Sequence, residues 1–364
     1  MKSLAITGAV LASSFVFAGP AAASSGHTAV FVQSNAADGN TIAVYDSALE
    51  PAGSYPTGGK GGALSGAVVD RLASQGSLTL DRAHNLLYAV NAGSNTITVF
   101  GVHGTRLTRL QVIGSGGVFP VSVATHGDLV YVLNARAGGT VQGFRRLGSR
   151  LIRVPSWNRG LGLDPAATPE FTHTPGQVVF RPDGSQLLVT TKAGTNAVDV
   201  FAVGHAGGLS TAPAVNVEDG AVPFAAAFDR RGHLALAEAG RNAVATFDLH
   251  RTGRITALDA AATGQAGTCW IVVANGTFYA SNAGSGTVSA YRAGRDGRLT
   301  ALGTTTTDAG TVDAAAGSDG RHLYVQTGAK GIVDAYRINT DGSLTPTGSA
   351  TVPDSAGGEG IAAG

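Results

Sequence analysis

The chain has 364 residues, 53 of them glycine, and its 25 basic and 24 acidic residues leave a formal net charge of +1 at pH 7. This balanced charge, without a block of basic residues, argues against nucleic acid or an anionic membrane surface as a partner. The single cysteine, Cys269, excludes an internal disulfide framework, so the fold must rest on burial and hydrogen bonding.

Residues Met1–Ala23 have the pattern of a secretory leader. Lys2 precedes the apolar stretch Leu4–Phe17, and Ala21–Ala23 supplies small residues for cleavage. The apolar stretch is too short for a membrane anchor, and the rest of the chain lacks a run of about 18 apolar residues. We therefore predict a secreted protein, extracellular or cell-wall-associated and not inserted in a membrane, with residues 24–364 as one domain.

Seven similar hairpins follow, each made of an apolar strand, a short polar turn and a second apolar strand. The clearest is Leu86–Phe100, with the sequence LLYAVNAGSNTITVF. The others are Val30–Tyr45, Val130–Phe144, Leu188–Phe201, Leu234–Phe247, Phe278–Tyr291 and Leu323–Tyr336. Equivalent apolar residues in the second strands lie 55, 44, 57, 46, 44 and 45 residues apart. Most of these spacings match the length of a four-stranded propeller blade, so the repeats predict seven blades.

Each repeat reads as four strands, A to D, in which strand A precedes the hairpin and strand D follows it. The first hairpin has no strand A before it, and the C-terminal Gly358–Ala363 is a strand A with nothing after it. We therefore predict an all-β, seven-bladed β-propeller closed by pairing of the C-terminal strand with the N-terminal blade. An open solenoid is the alternative, but it would not leave complementary half-repeats at the two ends.

The antiparallel order of the strands fixes which turns share a face. The B–C turns and D–A connections define the upper face, and the A–B and C–D turns define the lower face. The two long spacings contain the insertions Gly58–Gln75 and Val154–Pro175, both of which are D–A connections. Long loops in a compact fold are usually functional or disordered, and we expect these to form a partial lid over the upper channel mouth.

Candidate catalytic residues stand where the hairpins depart from their common pattern. Lys192 and Glu238 occupy a turn position at which other blades carry asparagine or threonine. They either pair with each other structurally or belong to a site. In the second case Glu238 or His173 would activate water, and Lys192 or Arg241 would stabilise an oxyanion. The alternative for His173, which a loop position favours, is a histidine without a special role.

Other residues predicted on the upper face could bind a ligand. Arg136 and Arg241 lie in B–C turns and could hold a carboxylate or hydroxyl groups, or could be ordinary solvated charges. Trp270 begins a strand A and could either stack on a sugar ring or plug the channel, and Trp157 lies in the second predicted insertion. The histidines lack metal-ligand spacing and the sequence has no cofactor motif, so we predict neither a metal nor a cofactor.

The repeats LYAVNAGSNTITVF, FYASNAGSGTVSAY and LYVQTGAKGIVDAY resemble the YVTN-type repeats of the seven-bladed lactonase family, along the whole mature chain. That family includes 6-phosphogluconolactonases and the fungal carboxymuconate-lactonizing enzyme. The family's HPHQ-like motif corresponds to Thr174–Gln177, which keeps Pro175 and Gln177 but neither histidine. Its PRH-like motif corresponds to Pro223–Ala225, without the arginine that a phosphorylated or carboxylated lactone would require.

Two functions follow from the resemblance and the residues. The first is hydrolysis of a small lactone or similar ester at the top of the central channel, with Gln177, Arg136, Arg241, Trp157 and Trp270 contacting the substrate. The alternative is a non-catalytic propeller that binds a carbohydrate or a protein. In either case we expect a monomer whose partner is a small molecule or a carbohydrate.

Overall fold

The computed structural model describes residues 28–364, and the predicted leader lies outside the described residues. In the described chain, 28 strands form seven four-stranded antiparallel sheets. The innermost strands of neighbouring sheets contact one another around a central channel. The prediction of an all-β, seven-bladed propeller is therefore confirmed.

The strands follow the A-to-D order of the repeats. Blade 1 contains β1 (Val30–Gln33), β2 (Thr41–Tyr45) and β3 (Pro51–Pro56). Blade 2 contains β4 (Leu78–Asp81), β5 (Leu86–Asn91), β6 (Thr96–His103) and β7 (Arg106–Gly114). Blade 3 contains β8 (Pro120–His126), β9 (Leu129–Asn134), β10 (Thr140–Leu147) and β11 (Arg150–Gly160). Blade 4 contains β12 (Gln177–Phe180), β13 (Gln186–Thr190), β14 (Ala197–Ala202) and β15 (Ala214–Val217).

The remaining blades have the same order. Blade 5 contains β16 (Pro223–Phe228), β17 (Leu234–Glu238), β18 (Ala243–Leu249) and β19 (Ile255–Ala262). Blade 6 contains β20 (Thr268–Ala274), β21 (Thr277–Asn282), β22 (Thr287–Ala293) and β23 (Leu299–Thr306). Blade 7 contains β24 (Thr311–Ala316), β25 (His322–Thr327), β26 (Ile332–Ile338) and β27 (Leu344–Thr351), and β28 (Ile361–Ala363) returns to blade 1.

The ring is closed by the C-terminal strand. In β28, Ala363 pairs with Val30 and Ile361 pairs with Val32 of β1. The N–H of Gln33 donates to the carbonyl oxygen of Gly360 at 2.9 Å, which extends the ladder by one bond. Blade 1 is thus built from both ends of the chain. The edge of β1 that faces the channel is paired with β28 rather than open.

The repeated apolar residues form the packing between blades. The seven residues used to measure the repeat are each at most 1% exposed: Ile42, Ile97, Val141, Val198, Val244, Val288 and Val333. Side chains alternate across a strand, so the apolar face of each blade meets its neighbour's. The outermost strands are more exposed, as in β15 with its alternation of half-buried and exposed residues. Burial of these repeated faces accounts for a fold without disulfides.

Buried tyrosines tie neighbouring blades together at the lower face. Tyr131, Tyr279 and Tyr324 occupy the same place in strand B of blades 3, 6 and 7. Their hydroxyl groups donate to carbonyl oxygens in the C–D turn of the following blade, at Gly207, Gly342 and Ser47 respectively. The tyrosines of these three repeats therefore have a structural role, because a buried hydroxyl needs an acceptor. The equivalent Tyr88 of blade 2 is also buried, but its hydroxyl group has no hydrogen-bond partner within residues 28–364.

Three single-turn helices lie on the upper face. They are a 3-10 helix (Ala92–Ser94), α1 (Glu170–His173) and α2 (Lys192–Thr195). None of the helices in residues 28–364 has the length and apolar character needed to cross a bilayer.

Candidate functional site

The first insertion, between β3 and β4, occupies the upper part of the channel. Ser74 and Gln75 contact several blades: Ser74 Oγ donates to the Val121 carbonyl at 2.9 Å, and Gln75 Nε2 donates to the Ile271 carbonyl at 2.9 Å. Trp270 Nε1 donates to the Ser74 carbonyl oxygen at 2.7 Å. The expected lid is therefore a plug that hydrogen-bonds to the channel wall.

The second insertion is shorter than its spacing suggested. Strand β11 continues to Gly160, so the insertion comprises residues 161–176. Trp157 belongs to this outer strand, where its ring stacks on Tyr131 with centroids 6.1 Å apart and packs against Gly207 and Gly208 of blade 4. The prediction that Trp157 lies in the insertion at the channel mouth is wrong. Residues 154–157 form a bulge in β11 opposite Gly143 of β10, and the strand continues beyond this bulge to Gly160.

Lys192 is buried in the upper channel and holds both insertions. Its Nζ donates to the carbonyl oxygens of Ala73 at 2.7 Å and Phe171 at 2.5 Å, and to Thr174 Oγ1 at 3.2 Å. Its backbone has a φ of 38°, a left-handed conformation that is uncommon for a lysine. Burial lowers the pKa of Lys192 to about 7, and the nearby Asp70 opposes this shift. The ammonium is thus committed to oxygens of the protein itself.

Glu238 pairs within its own blade and not with Lys192. Arg241 Nη1 lies 3.1 and 3.2 Å from the two Glu238 carboxylate oxygens, and Arg241 Nη2 donates to the Asp219 carbonyl at 2.7 Å. The Glu238 side chain is fully buried, while that of Arg241 is 44% exposed. Burial raises the pKa of Glu238 and the arginine opposes that rise. The predicted ion pair bridging blades 4 and 5 is therefore absent from the described structure.

His173 and Arg136 lie at the second insertion on the upper face. His173 Nδ1 is 2.9 Å from the Pro169 carbonyl oxygen within its own loop. Arg136 Nε donates to Glu170 Oε1 at 2.6 Å, and its guanidinium lies over the ring of Phe119. The arginine holds the pKa of Glu170 below its ordinary value. Arg136 and His173 border one small cleft, which Lys192 and Glu238 do not line.

Gln177 and Trp270 support the channel wall. The Gln177 side-chain oxygen accepts a hydrogen bond from the Ala226 N–H at 2.6 Å, which ties blade 4 to blade 5. Trp270 is 3% exposed and packs against Phe224, with ring centroids 4.8 Å apart. Of its two predicted roles, the contacts match the plug. Phe224 stands where the family pattern has an arginine, so an aromatic pair fills this part of the channel.

Three buried carboxyl groups lie deeper in the channel: Asp70, Asp313 and Glu359. Asp70 accepts hydrogen bonds from the N–H groups of Leu72 at 2.7 Å and Ser74 at 2.9 Å. Glu359 accepts from the Gly76 N–H at 3.1 Å, and the neighbouring charge of Asp313 helps to raise the pKa of Glu359. Two neighbouring carboxylates disfavour ionisation of both at once.

Burial is the largest cause of the raised pKa values of these three carboxyl groups. It raises the pKa of Asp70 to about 6 and that of Asp313 to about 7, and it raises the pKa of Glu359 well above its usual range. Burial also raises the pKa of the Cys269 thiol to about 12, so the thiol stays protonated near neutral pH. No group of three or more His, Cys, Asp or Glu side chains within residues 28–364 has an arrangement suited to a metal ion.

Asp313 borders a cavity of about 270 Å³ in the lower half of the channel. The cavity is framed by the innermost strands of blades 1, 2, 6 and 7, with Gln75 and Gly76 of the plug above it. Arg82 lines the cavity from an A–B turn, where its Nη2 donates to the carbonyl oxygens of Ala316 at 2.9 Å and Ala363 at 2.5 Å. The arrangement offers a cavity with a titratable carboxyl group in its wall and a guanidinium at its lower end.

Sequence reasoning did not single out Asp313, Glu359 or Arg82 as site residues. A signal was present, because Asp313 is the acidic residue in the strand TVDAAA, which otherwise contains only small and apolar residues beside one threonine. A carboxylate in a strand that lines the channel is costly unless it is hydrogen-bonded or protonated.

The fold and the channel define a seven-bladed propeller of the lactonase type. The profile of the family described as "Lactonase, 7-bladed beta-propeller" matches residues 52–238 and 234–360, and the chain belongs to this family. A comparison with curated protein sequences finds no match.

Several solved structures share the fold at low sequence identity. A putative 6-phosphogluconolactonase from Bacteroides fragilis is 17% identical with a TM-score of 0.74, over 94% of this chain and 99% of its own. A protein from Lactobacillus plantarum is 21% identical with a TM-score of 0.73, over 93% and 99%. A periplasmic gluconolactonase from Pseudomonas aeruginosa is 16% identical with a TM-score of 0.72, over 93% and 99%. At these identities the likeness establishes the fold.

Proposed function

We propose that this protein hydrolyses a small lactone or similar ester in the lower channel cavity, with Asp313 as the general base. The single observation that supports this site most strongly is the Asp313 carboxyl group in the wall of a cavity of about 270 Å³. Family membership supplies the reaction class, and the solved relatives include a gluconolactonase and a putative 6-phosphogluconolactonase.

The proposed reaction is a proton-balanced hydrolysis. The Asp313 carboxylate removes a proton from water as the water oxygen bonds to the lactone carbonyl carbon. The carbonyl carbon then releases the ring oxygen, which takes the proton back from Asp313 and leaves as an alcohol. The product is a hydroxy acid. Glu359 influences the base through its charge, because two neighbouring carboxyl groups raise each other's proton affinity.

The upper-face assignment of catalysis is less well supported by the contacts. Lys192 is occupied by three oxygens of the protein, and Glu238 by Arg241. Neither side chain is therefore free to act on a substrate, and the ring of His173 contacts Pro169 and Thr172 of its own loop. The roles of Glu238, His173 and Lys192 in catalysis, and of Arg241, Arg136 and Gln177 in binding, are testable by single substitutions in the same lactone assay.

The test is to screen the purified protein against lactones and then to compare Asp313→Asn with the wild type. We expect kcat to fall at least about 100-fold, the usual contribution of a general base. Asp199→Asn is the matched control, because Asp199 is also a buried carboxyl group with a pKa raised by burial but lies in β14, away from the cavity. Unchanged turnover in a folded Asp313→Asn protein would remove the proposed base.

A second candidate function is binding without catalysis. The observation in its favour is the contact between Phe224 and Trp270, which places two aromatic rings where the family pattern has an arginine. If this candidate is correct, the lactone screen shows no turnover. Asp313→Asn would then alter at most the affinity for a ligand, which calorimetry can measure directly.

Export remains part of the proposal. The predicted leader lies at residues 1–23, and one solved relative is a periplasmic gluconolactonase. We expect expression in the native host to release a monomeric protein that begins near residue 24. N-terminal sequencing of material from the culture medium and the cell wall, with sizing by light scattering, would test both points.

A further inference from the structure

The lower channel cavity has mainly aliphatic walls. The half-buried residues Leu80, Val272, Val273 and Ala316 line it, together with the buried Ile361 and Ala362. Asp313 and Arg82 are the only charged residues among the described residues that border the cavity. Asp313 lies in the wall of the cavity and Arg82 at its lower end. The aliphatic side chains between them offer no hydrogen bond to a ligand.

The two neutral polar side chains of the wall already have partners. Gln75 donates from Nε2 to the Ile271 carbonyl, and its Oε1 accepts from the Ile271 N–H, each at 2.9 Å. Thr79 Oγ1 donates to the Val123 carbonyl at 2.8 Å. A ligand rich in hydroxyl groups would leave many of them without a partner in this cavity, at a cost in affinity for each one. An alkyl group would instead gain from contact with the aliphatic walls.

The dimensions of the cavity agree with a small ligand. Its volume of about 270 Å³ lies near the lower end of the range for small-molecule sites. A single ring with a short side chain is the appropriate size. Asp313 and Arg82 lie at separate places in the cavity. Either of them can bind one polar group of such a ligand while the apolar part of the ligand lies along the wall.

We propose that this cavity takes an uncharged lactone or ester with a short aliphatic chain, whose carbonyl group lies beside Asp313 and whose chain lies along Val272 and Val273. This inference rests on the proposed function for the reaction, but it concerns the substrate class and rests on the composition of the wall. It separates this chain from enzymes whose substrates are polyhydroxylated or phosphorylated, because such groups need partners that this wall lacks.

The experiment compares matched δ-lactones with the purified full chain. The alkyl series is δ-valerolactone, δ-octalactone and δ-decalactone, and the polar comparison is glucono-δ-lactone. Each methylene moved from water to apolar surroundings favours binding by about fourfold. We therefore expect kcat/KM to rise with chain length until the cavity is filled, and to exceed the value for glucono-δ-lactone at least tenfold for the best alkyl lactone.

Two variants test the wall itself. Val273→Asn introduces an amide into the cavity and should reduce the alkyl preference at least tenfold. Val217→Asn is the control, because Val217 is 57% exposed on the outer strand β15, and it should leave the preference unchanged. Ala316→Leu is a second cavity variant in case Val273→Asn does not fold, and it should shorten the best-accepted chain. Thermal melting establishes that each variant is folded.

Binding of a non-hydrolysable analogue separates the two proposals. The probe is 6-propyl-2-piperidone, the lactam that corresponds to δ-octalactone, measured by calorimetry. Hydrolysis with a preference for glucono-δ-lactone, or an alkyl preference that survives both cavity variants, would overturn the substrate class and leave the hydrolase. Lactam binding that Val273→Asn weakens, without turnover of any lactone, would overturn the hydrolase and leave the cavity specificity. Neither turnover nor lactam binding would overturn both.

Discussion

Lys192 in blade 4 donates a hydrogen bond of 2.7 Å to the carbonyl oxygen of Ala73, a residue 119 positions earlier in the chain. The same ammonium also holds the Phe171 carbonyl in the other insertion. One side chain therefore fixes both upper-face insertions to the propeller. Its buried position is explained by these acceptors, because a buried ammonium without them would be strongly unfavourable.

The first prediction concerns this lysine. Lys192→Met keeps the volume of the side chain but leaves the carbonyl oxygens of Ala73 and Phe171 without a donor. We expect the free energy of unfolding to fall by about 2 kcal/mol or more, as for buried groups that lose their partner. Chemical denaturation followed by circular dichroism measures the change. Lys330→Met is the control, since Lys330 is exposed in a B–C turn, and its effect should be within about 0.5 kcal/mol.

The second prediction concerns pH. The folded-state pKa values of Asp70 and Asp313 are raised to about 6 and about 7. The folded protein therefore binds more protons than the unfolded chain between about pH 4 and pH 7, and stability from these groups is lost as the pH rises through that window. We expect the melting temperature to decrease from pH 5 to pH 7. Asp313→Asn should flatten this decrease.

The titration of Lys192 has the opposite effect on the stability of the protein above pH 7. Because its folded-state pKa is lowered to about 7, the unfolded chain binds the additional proton between pH 7 and about 10.5. Stability from this group is therefore gained as the pH rises through that window. The melting temperature, measured by calorimetry from pH 5 to pH 10, should have a minimum near pH 7. A steady rise in melting temperature from pH 5 to pH 7 would contradict the raised pKa values of Asp70 and Asp313.

The third prediction concerns the two candidate bases. If the reaction takes place in the lower cavity, Glu238→Gln should change kcat/KM by less than about threefold, because Glu238 lies on the upper face beside Arg241. The stability of this variant should fall modestly, since the hydrogen bonds from Arg241 then have a neutral amide oxygen as acceptor instead of a carboxylate. Steady-state kinetics on the best lactone decides the matter. A loss of about 100-fold in Glu238→Gln, with Asp313→Asn unaffected, would return the site to the upper face.

The fourth prediction concerns ring closure. Deletion of residues 359–364 removes β28 and Glu359, and it leaves the inner edge of β1 unpaired. We expect a large drop in melting temperature and a tendency to aggregate through the exposed edge. Removal of Gly364 alone is the control, because it loses only the two terminal bonds with Ala29. A truncated protein that melts with the full chain would show that closure contributes little.

The blade repeat was readable because it repeats a local pattern. The spacing of residues such as Val198 and Val244, together with turn residues between alternating strands, predicted the sheets, the face of each turn and the C-terminal closure. The same reasoning misjudged Trp157, because a bulge in blade 3 lengthens the outer strand beyond its regular register. Local patterns give strand order reliably, but they do not show where an irregular strand ends.

The partners of the charged residues could not be obtained in this way. Lys192 and Glu238 both departed from the repeat pattern in the sequence. In the structure Lys192 binds the two insertions, and Glu238 binds Arg241, three residues later in the chain. Both partnerships depend on the path of the insertions and on the direction of each turn. Asp313 and Glu359 meet because β24 and β28 lie side by side around the channel, although the two residues are far apart along the chain.

The sequence by itself determined the architecture of this protein: seven apolar hairpins of similar length can bury their faces only against one another, and the complementary half-repeats at its ends can complete one blade. Only the tertiary structure decided the chemistry of the channel. The first insertion folds into the upper half of the channel, and burial raises the pKa values of Asp70 and Asp313. Burial and the contacts between blades are properties of the closed ring, so they arise only once all seven blades are in place.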